Sequence, residues 1–110
     1  MDDLSKSCII LDKPVGISSN NSLKIVKKKL NQKKAGFSGT LDPMASGVLI
    51  IFFNKATKVC SYFTDAYKTY KGIIQLGVST DSGDSYGKII AKNEKLFFDT
   101  NKVKDIENHF

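Results

Sequence analysis

Few side chains in this 110-residue sequence are equipped for chemistry, and the most suggestive is a carboxylate. Asp42 sits in Gly39-Thr40-Leu41-Asp42-Pro43, inside a stretch, residues 35–47, that also holds Gly36 and Gly47. Three glycines and a proline at that density predict a loop without regular structure. A carboxylate on such a loop can attack an electron-poor carbon or stabilise positive charge on it, and needs no metal to do so. Asp-Pro is also an ordinary turn dipeptide, and on residue types alone that reading stands beside the catalytic one. The other candidates are weaker. His109, the single histidine, lies next to the C-terminal residue, which disfavours Ser-His and Cys-His pairs. No spacing of His, Cys, Asp or Glu resembles a metal site, and no glycine loop leads into Lys-Ser/Thr as in a P-loop. Cys8 and Cys60 are too few for a disulfide framework and sit among apolar residues, so both are expected to be buried thiols in a reducing compartment. Tyr70 reads first as a core or edge aromatic on an alternating strand, and Lys13-Pro14 as a turn.

The elements that must position Asp42 follow from periodicity. Ser7 to Leu11 is a short branched apolar run, a strand, that ends in the Pro/Gly turn Asp12-Lys13-Pro14-Val15-Gly16. Ser18 or Ser19 can cap a helix reaching about Asn31, with Leu23, Val26 and Leu30 as its buried stripe. The glycine loop comes next, then Gly47 to Phe53, an unbroken apolar run expected of a strand buried on both faces. A loop pinned between a helix and a central strand is a rigid mount for a reactive group. Beyond it the sequence predicts a short helix from Ala56 to Phe63 and a strand from Thr69 to Leu76. A turn-rich segment from Gly77 to Gly87 and a returning strand from Gly87 to Ala91 follow. A last helix is capped by Asp99 or Thr100 and carries Val103, Ile106 and Phe110 on one stripe. That stripe reads as an unfinished helix, so residues 1–110 are expected to be the front portion of a longer domain. Strands and helices mix without a repeating βαβ unit, which predicts an α+β fold with a mixed, largely antiparallel sheet and flanking helices.

Charge points to a partner. All 17 basic residues are lysines, and the net charge is +6. The excess lies wholly in residues 1–60, where Lys24, Lys27, Lys28 and Lys29, continued by Lys33 and Lys34, form a basic ridge running into the Asp42 loop. Such asymmetry suits a polyanion, although a solvated lysine face is the bland alternative. No apolar run is long enough for a membrane span, and the start of the chain lacks a secretory pattern, so a soluble cytoplasmic protein is expected.

Five blocks carry a resemblance to a known family. They are Asp12-Lys13-Pro14-Val15-Gly16-Ile17-Ser18-Ser19, the stretch from Gly39 through Asp42 to Leu49, Ala56-Thr57-Lys58, Lys68-Thr69-Tyr70, and Leu76 to Asp84. In this order, over roughly residues 8–87, the sequence resembles the TruB family of tRNA pseudouridine synthases. The resemblance implies the N-terminal part of a pseudouridine synthase catalytic domain, with the family's C-terminal RNA-binding domain outside this sequence. It implies isomerisation of uridine to pseudouridine at position 55 in the T loop of tRNA, with Asp42 as the catalytic aspartate and no cofactor or metal. Tyr70 matches the family's active-site tyrosine, expected to stack on the flipped base. Phe37, Gly39, Leu41, Lys13 and Lys34 are the expected substrate-binding residues. Phe37 stands where the family usually has histidine; it can stack or pack but cannot hydrogen-bond. The basic residue that pairs with the family's aspartate falls outside the sequence, which contains no arginine. This chain by itself is therefore expected to be inactive, and to act as a monomer on the T arm when complete. A non-catalytic tRNA-binding fragment is the alternative.

Overall fold

The computed structural model describes residues 7–95 and 99–109, and the chain divides into two units, one through Thr69 and the other from Tyr70. The first is built on a three-stranded antiparallel sheet. β1 (Cys8–Lys13) and β2 (Ala35–Ser38) both pair with the central β3 (Gly47–Phe53), giving the order β1-β3-β2. Register sets Ile9 opposite Ile51, Leu11 opposite Leu49 and Phe37 opposite Ile51. Because strand side chains alternate, these residues share one face. On it, Leu49, Ile51 and Phe53 are fully buried, covered by Ile9, Leu11, Ala35 and Phe37 and by Leu23 and Val26 of α1 (Ser19–Lys29). Each buried side chain of this size contributes about 1.5–3 kcal/mol.

α1 begins and ends on the chemistry its sequence offers. Ser18 is the cap, its hydroxyl accepting from the Asn21 amide at 3.2 Å. At the other end Asn31 takes a left-handed φ of 49°. The Asn31 and Gln32 amides then return to the carbonyls of Lys28 and Lys27, closing a Schellman-type stop. Leu30, expected on the buried stripe, is 38% exposed at this stop.

A 3-10 helix, Asn54–Val59, runs directly into the short α2 (Cys60–Thr64), where the sequence predicts one helix. Phe63 of α2 rests on Phe52 with ring centroids 5.2 Å apart. This covers the outer face of β3 at that end only, since Val48 is 68% exposed. The expectation of a strand buried on both faces therefore holds for its last residues and not its first. Cys60 is half-buried, and burial pushes its thiol up. Cys8, expected inside, points to the outer face of β1 and is exposed.

The second unit departs further from its sequence pattern. No strand forms over residues 69–76: Tyr70, Ile73 and Ile74 are exposed at 69%, 98% and 87%. Alternating apolar residues favour a strand only when another strand takes up the backbone donors and acceptors, and among the described residues none pairs here. The hairpin forms instead between β4 (Val78–Thr80) and β5 (Ile89–Lys92), with a register shift between Ser79 and Thr80. α3 (Thr100–Glu107) is capped by Asp99, which accepts from the Asn101 amide. Phe110, expected on its stripe, lies outside the described residues. All described strand pairings are antiparallel, so the class is the expected α+β.

Candidate active site

Asp42 opens a tight turn. The Ala45 amide donates to the Asp42 carbonyl at 2.9 Å, with Pro43 at the second position, where its fixed φ suits the turn. Both neighbours of Asp42 are tied to residues 16–19, where the connection from β1 enters α1. On one side, the Ser19 hydroxyl donates to the Leu41 carbonyl and accepts from the Leu41 amide, each at 2.9 Å. On the other, the Gly16 amide donates to the Pro43 carbonyl at 2.7 Å. Ser19 is buried, while Asp42 between the two attachments is exposed. The loop thus sits at the N-terminal end of α1, the end whose dipole favours an anion.

The turn that supplies Gly16 is held from inside. Lys13 continues the inward stripe of Ile9 and Leu11 and is fully buried. Its Nζ donates to the carbonyls of Pro14 at 2.8 Å and Ile17 at 2.7 Å. A lysine that lays its stem on the core and spends its ammonium on carbonyls shapes a turn instead of offering charge to solvent. Gly39 has a φ of +74°, which side-chain-bearing residues rarely adopt. The Lys68 stem lies in front of it, 3.6 Å from where a Cβ would stand, and the Lys68 Nζ donates to the carbonyls of Thr64 and Ala66.

The remaining expected residues separate. Phe37 is half-buried against the core cluster, so packing accounts for it. It also lies on β2, where the glycine-rich sequence predicts no regular structure. Gly36 faces Cys60 and Thr57 at ordinary contact distance, 3.5 Å from where a Cβ would stand to Cys60 Sγ. Lys34 has its backbone clipped by Asn54, whose amide donates to the Lys34 carbonyl at 2.9 Å and whose Oδ1 accepts from the Lys34 amide at 3.2 Å. Its side chain is exposed. Tyr70 opens the second unit and is described with it. Toward the C-terminal end of α1, Lys24, Lys27, Lys28, Asn31 and Gln32 line a shallow hollow of about 330 Å³ with a positively charged rim. Among the described residues no three His, Cys, Asp or Glu side chains converge as a metal site would need.

Ser19, Gly16, Asn54 and Lys68 are the residues that sequence patterns do not single out for this loop. Gly16, Ser19 and Lys68 lie in the ordered blocks without a role being legible there, and Asn54 lies in none. With two serines and one cap position, Ser18 takes the cap and leaves the Ser19 hydroxyl for another partner.

The family model described as TruB family pseudouridylate synthase, N-terminal domain, matches residues 27–110. The chain belongs to the TruB family. Curated relatives named tRNA pseudouridine synthase B include one from Francisella philomiragia, 52% identical over 80% of this chain. Another, from Thiobacillus denitrificans, is 51% identical over 78% of it. In both matches the aligned part is 29% of the relative's length. Solved structures with the same fold include an H/ACA RNP bound to a substrate RNA containing 2'-deoxyuridine, at a TM-score of 0.52 and 46% identity. It covers 54% of this chain and 19% of that one. A Cbf5-Nop10-Gar1 complex matches with the same TM-score and identity over 53% of this chain and 18% of its own. TruB membership accounts for the ordered blocks in the sequence. No helix among the described residues is long and apolar enough to cross a membrane.

Proposed function

We propose that the chain supplies the catalytic aspartate loop of a tRNA pseudouridine synthase, with Asp42 acting on a uridine of the T loop. The observation that carries this reading is an exposed carboxylate whose two neighbours are both fixed by hydrogen bonds, in a member of the TruB family. Pseudouridine formation breaks the N1–C1′ bond of uridine, turns the uracil and rejoins it through C5, so nothing is added or lost. A held carboxylate answers the need for a nucleophile or a partner to the electron-poor sugar carbon, without metal or cofactor. The base must leave its stack to reach it. Tyr70, with its ring exposed, is the stacking surface in this reading. Lys34 and the lysines around the hollow take phosphates. Lys13, Gly39 and Leu41 serve the substrate through the shape of the loop. The same reading has the protein acting as a monomer on the T arm in the cytoplasm.

The test is single turnover, with protein in excess over unmodified tRNA, reading pseudouridine at each uridine of the T loop. The lack of an arginine to hold Asp42 predicts, from sequence, an inactive chain. Because the bonds to Leu41 and Pro43 already hold the loop, slow conversion, measurable at single turnover, is expected in its place. Conversion by the wild type that Asp42→Asn abolishes, with tRNA binding retained, is the expected outcome. Equal salt-sensitive binding by both proteins and conversion by neither would replace this reading with a non-catalytic tRNA-binding role.

A further inference from the structure

We infer that Ser19 is the positioning residue of the Asp42 loop. Its hydroxyl makes with Leu41 the two hydrogen bonds, one given and one received, that a neighbouring strand would otherwise supply. Only a group that is both donor and acceptor on one atom can do this at a single point, and in side chains that means a hydroxyl. The bonds span 22 residues of sequence, are each 2.9 Å long and are made by a side chain only 2% exposed. Leu41 is the residue immediately before the carboxylate. Fixing its amide and carbonyl together fixes the peptide plane from which Asp42 departs, while the Gly16 amide holds the Pro43 carbonyl on the far side. Gly16 acts through its backbone amide at a φ of +90°, where any side chain would strain the turn, so substituting it cannot remove that bond alone. Ser19 is thus the side chain through which α1 sets the direction of the carboxylate. A loop displaced by even about 1 Å can lose about a hundredfold in rate.

The inference rests on the reading of Asp42 as the catalytic group, and its test separates the two. Ser22 is the internal control: it lies in the same helix, is 4% exposed, and its hydroxyl donates only to the Ser18 carbonyl at 3.1 Å. Hydrogen exchange of the Leu41 amide and single-turnover pseudouridine formation are measured for wild type, Ser19→Ala, Ser19→Thr and Ser22→Ala. Ser19→Ala is expected to speed Leu41 exchange and to lower the rate at saturating protein by about 10- to 100-fold. Its tRNA dissociation constant should stay unchanged. Ser19→Thr restores both, and Ser22→Ala changes neither. Unchanged Leu41 exchange in Ser19→Ala overturns the inference, as does an equal rate loss in Ser22→Ala. Should the wild type form no pseudouridine, the catalytic reading fails, and Leu41 exchange still decides whether Ser19 holds the loop. If Ser19→Ala does not fold, Ser19→Val against Ser19→Thr isolates the hydroxyl at matched size.

Discussion

The two units of this chain are stabilised by different means. In the first, Leu49, Ile51 and Phe53 lose all exposure beneath α1, and polar side chains are spent on fixing loops against that core. In the second, no described residue is buried. The paired strands of the β4–β5 hairpin are closed by a hydrogen-bonded loop, where Asp84 Oδ1 accepts from the Ser82 hydroxyl at 2.8 Å and from the amides of Tyr86 and Gly87 at 2.9 and 3.1 Å. Asp81 accepts from the Lys88 amide at 2.8 Å. The difference bears on the proposed chemistry. Asp42 rides on the unit whose geometry is fixed by packing, whereas Tyr70 lies in a segment that neither pairs nor packs among the described residues.

The largest effect is expected where packing is densest. Ile51→Ala removes a fully buried side chain from the centre of the sheet and should cost about 2–5 kcal/mol. For so small a core that approaches its whole stability, read as a collapse of the urea midpoint. A loss below about 1 kcal/mol would mean the two units do not differ as described. Next comes Gly87→Ala. A Cβ at Gly87 would meet Ser82 Oγ at 2.2 Å, Asp81 Oδ1 at 2.6 Å and Thr80 Cβ at 2.9 Å. The first two atoms can swing aside only by giving up the loop's hydrogen bonds, and the third sits on β4. A cost of about 1–3 kcal/mol is expected, seen as loss of cross-strand contacts between Val78 and Lys92. Intact contacts would show that the strand pairing holds without those bonds.

The same division explains what could be read from the sequence. The apolar run Gly47–Phe53 and the two helix starts, each read to within a pair of residues (Ser18 or Ser19, Asp99 or Thr100), were legible because each is a local pattern with a local cause. The Asp42 loop was legible by its glycines, but the bonds that hold it were not. Ser19 and Leu41 are 22 residues apart, and a serine beside a helix cap looks like the cap itself. β2 was hidden because the three glycines and the proline of residues 35–47 outweighed its four residues, although pairing with β3 makes a strand of them. Residues 69–76 failed in the opposite sense. Their alternation is a strand pattern, yet a pattern becomes a strand only against a partner. Lys13 and Cys8 show the limit of residue type as a guide: the charged one is buried and the thiol is exposed.

A smaller effect should follow acid. The Ser82 hydroxyl, then the Tyr86 and Gly87 amides, hold the Asp84 carboxyl below its ordinary value of 3.8. Between the folded and unfolded values the folded state binds fewer protons, so stability falls as pH falls. The contribution is complete above the ordinary value and is lost as the solution passes below it through the lowered folded one. Lowering pH from about 6 to about 3 should therefore loosen the hairpin loop, read by exchange of the Tyr86 and Gly87 amides, and only where Asp84 is present. If Asp84→Asn shows the same acid profile, another carboxylate is responsible.

The smallest expected effect probes the contrast at its weakest point. Ile73 and Ile74 are 98% and 87% exposed, so their hydrophobic side chains contribute almost nothing by burial. Ile74→Ser should leave the urea midpoint within about 0.5 kcal/mol of wild type. Ile51→Ala, in the same assay, is the reference for what a buried isoleucine does. The comparison is informative because both residues sit in apolar runs that the sequence marks alike as strands. If Ile74→Ser costs more than about 1 kcal/mol, residues 70–76 bury that side chain in solution. Tyr70 would then stand on a packed element as Asp42 does, and the division between a fixed aspartate and an unfixed tyrosine would fall.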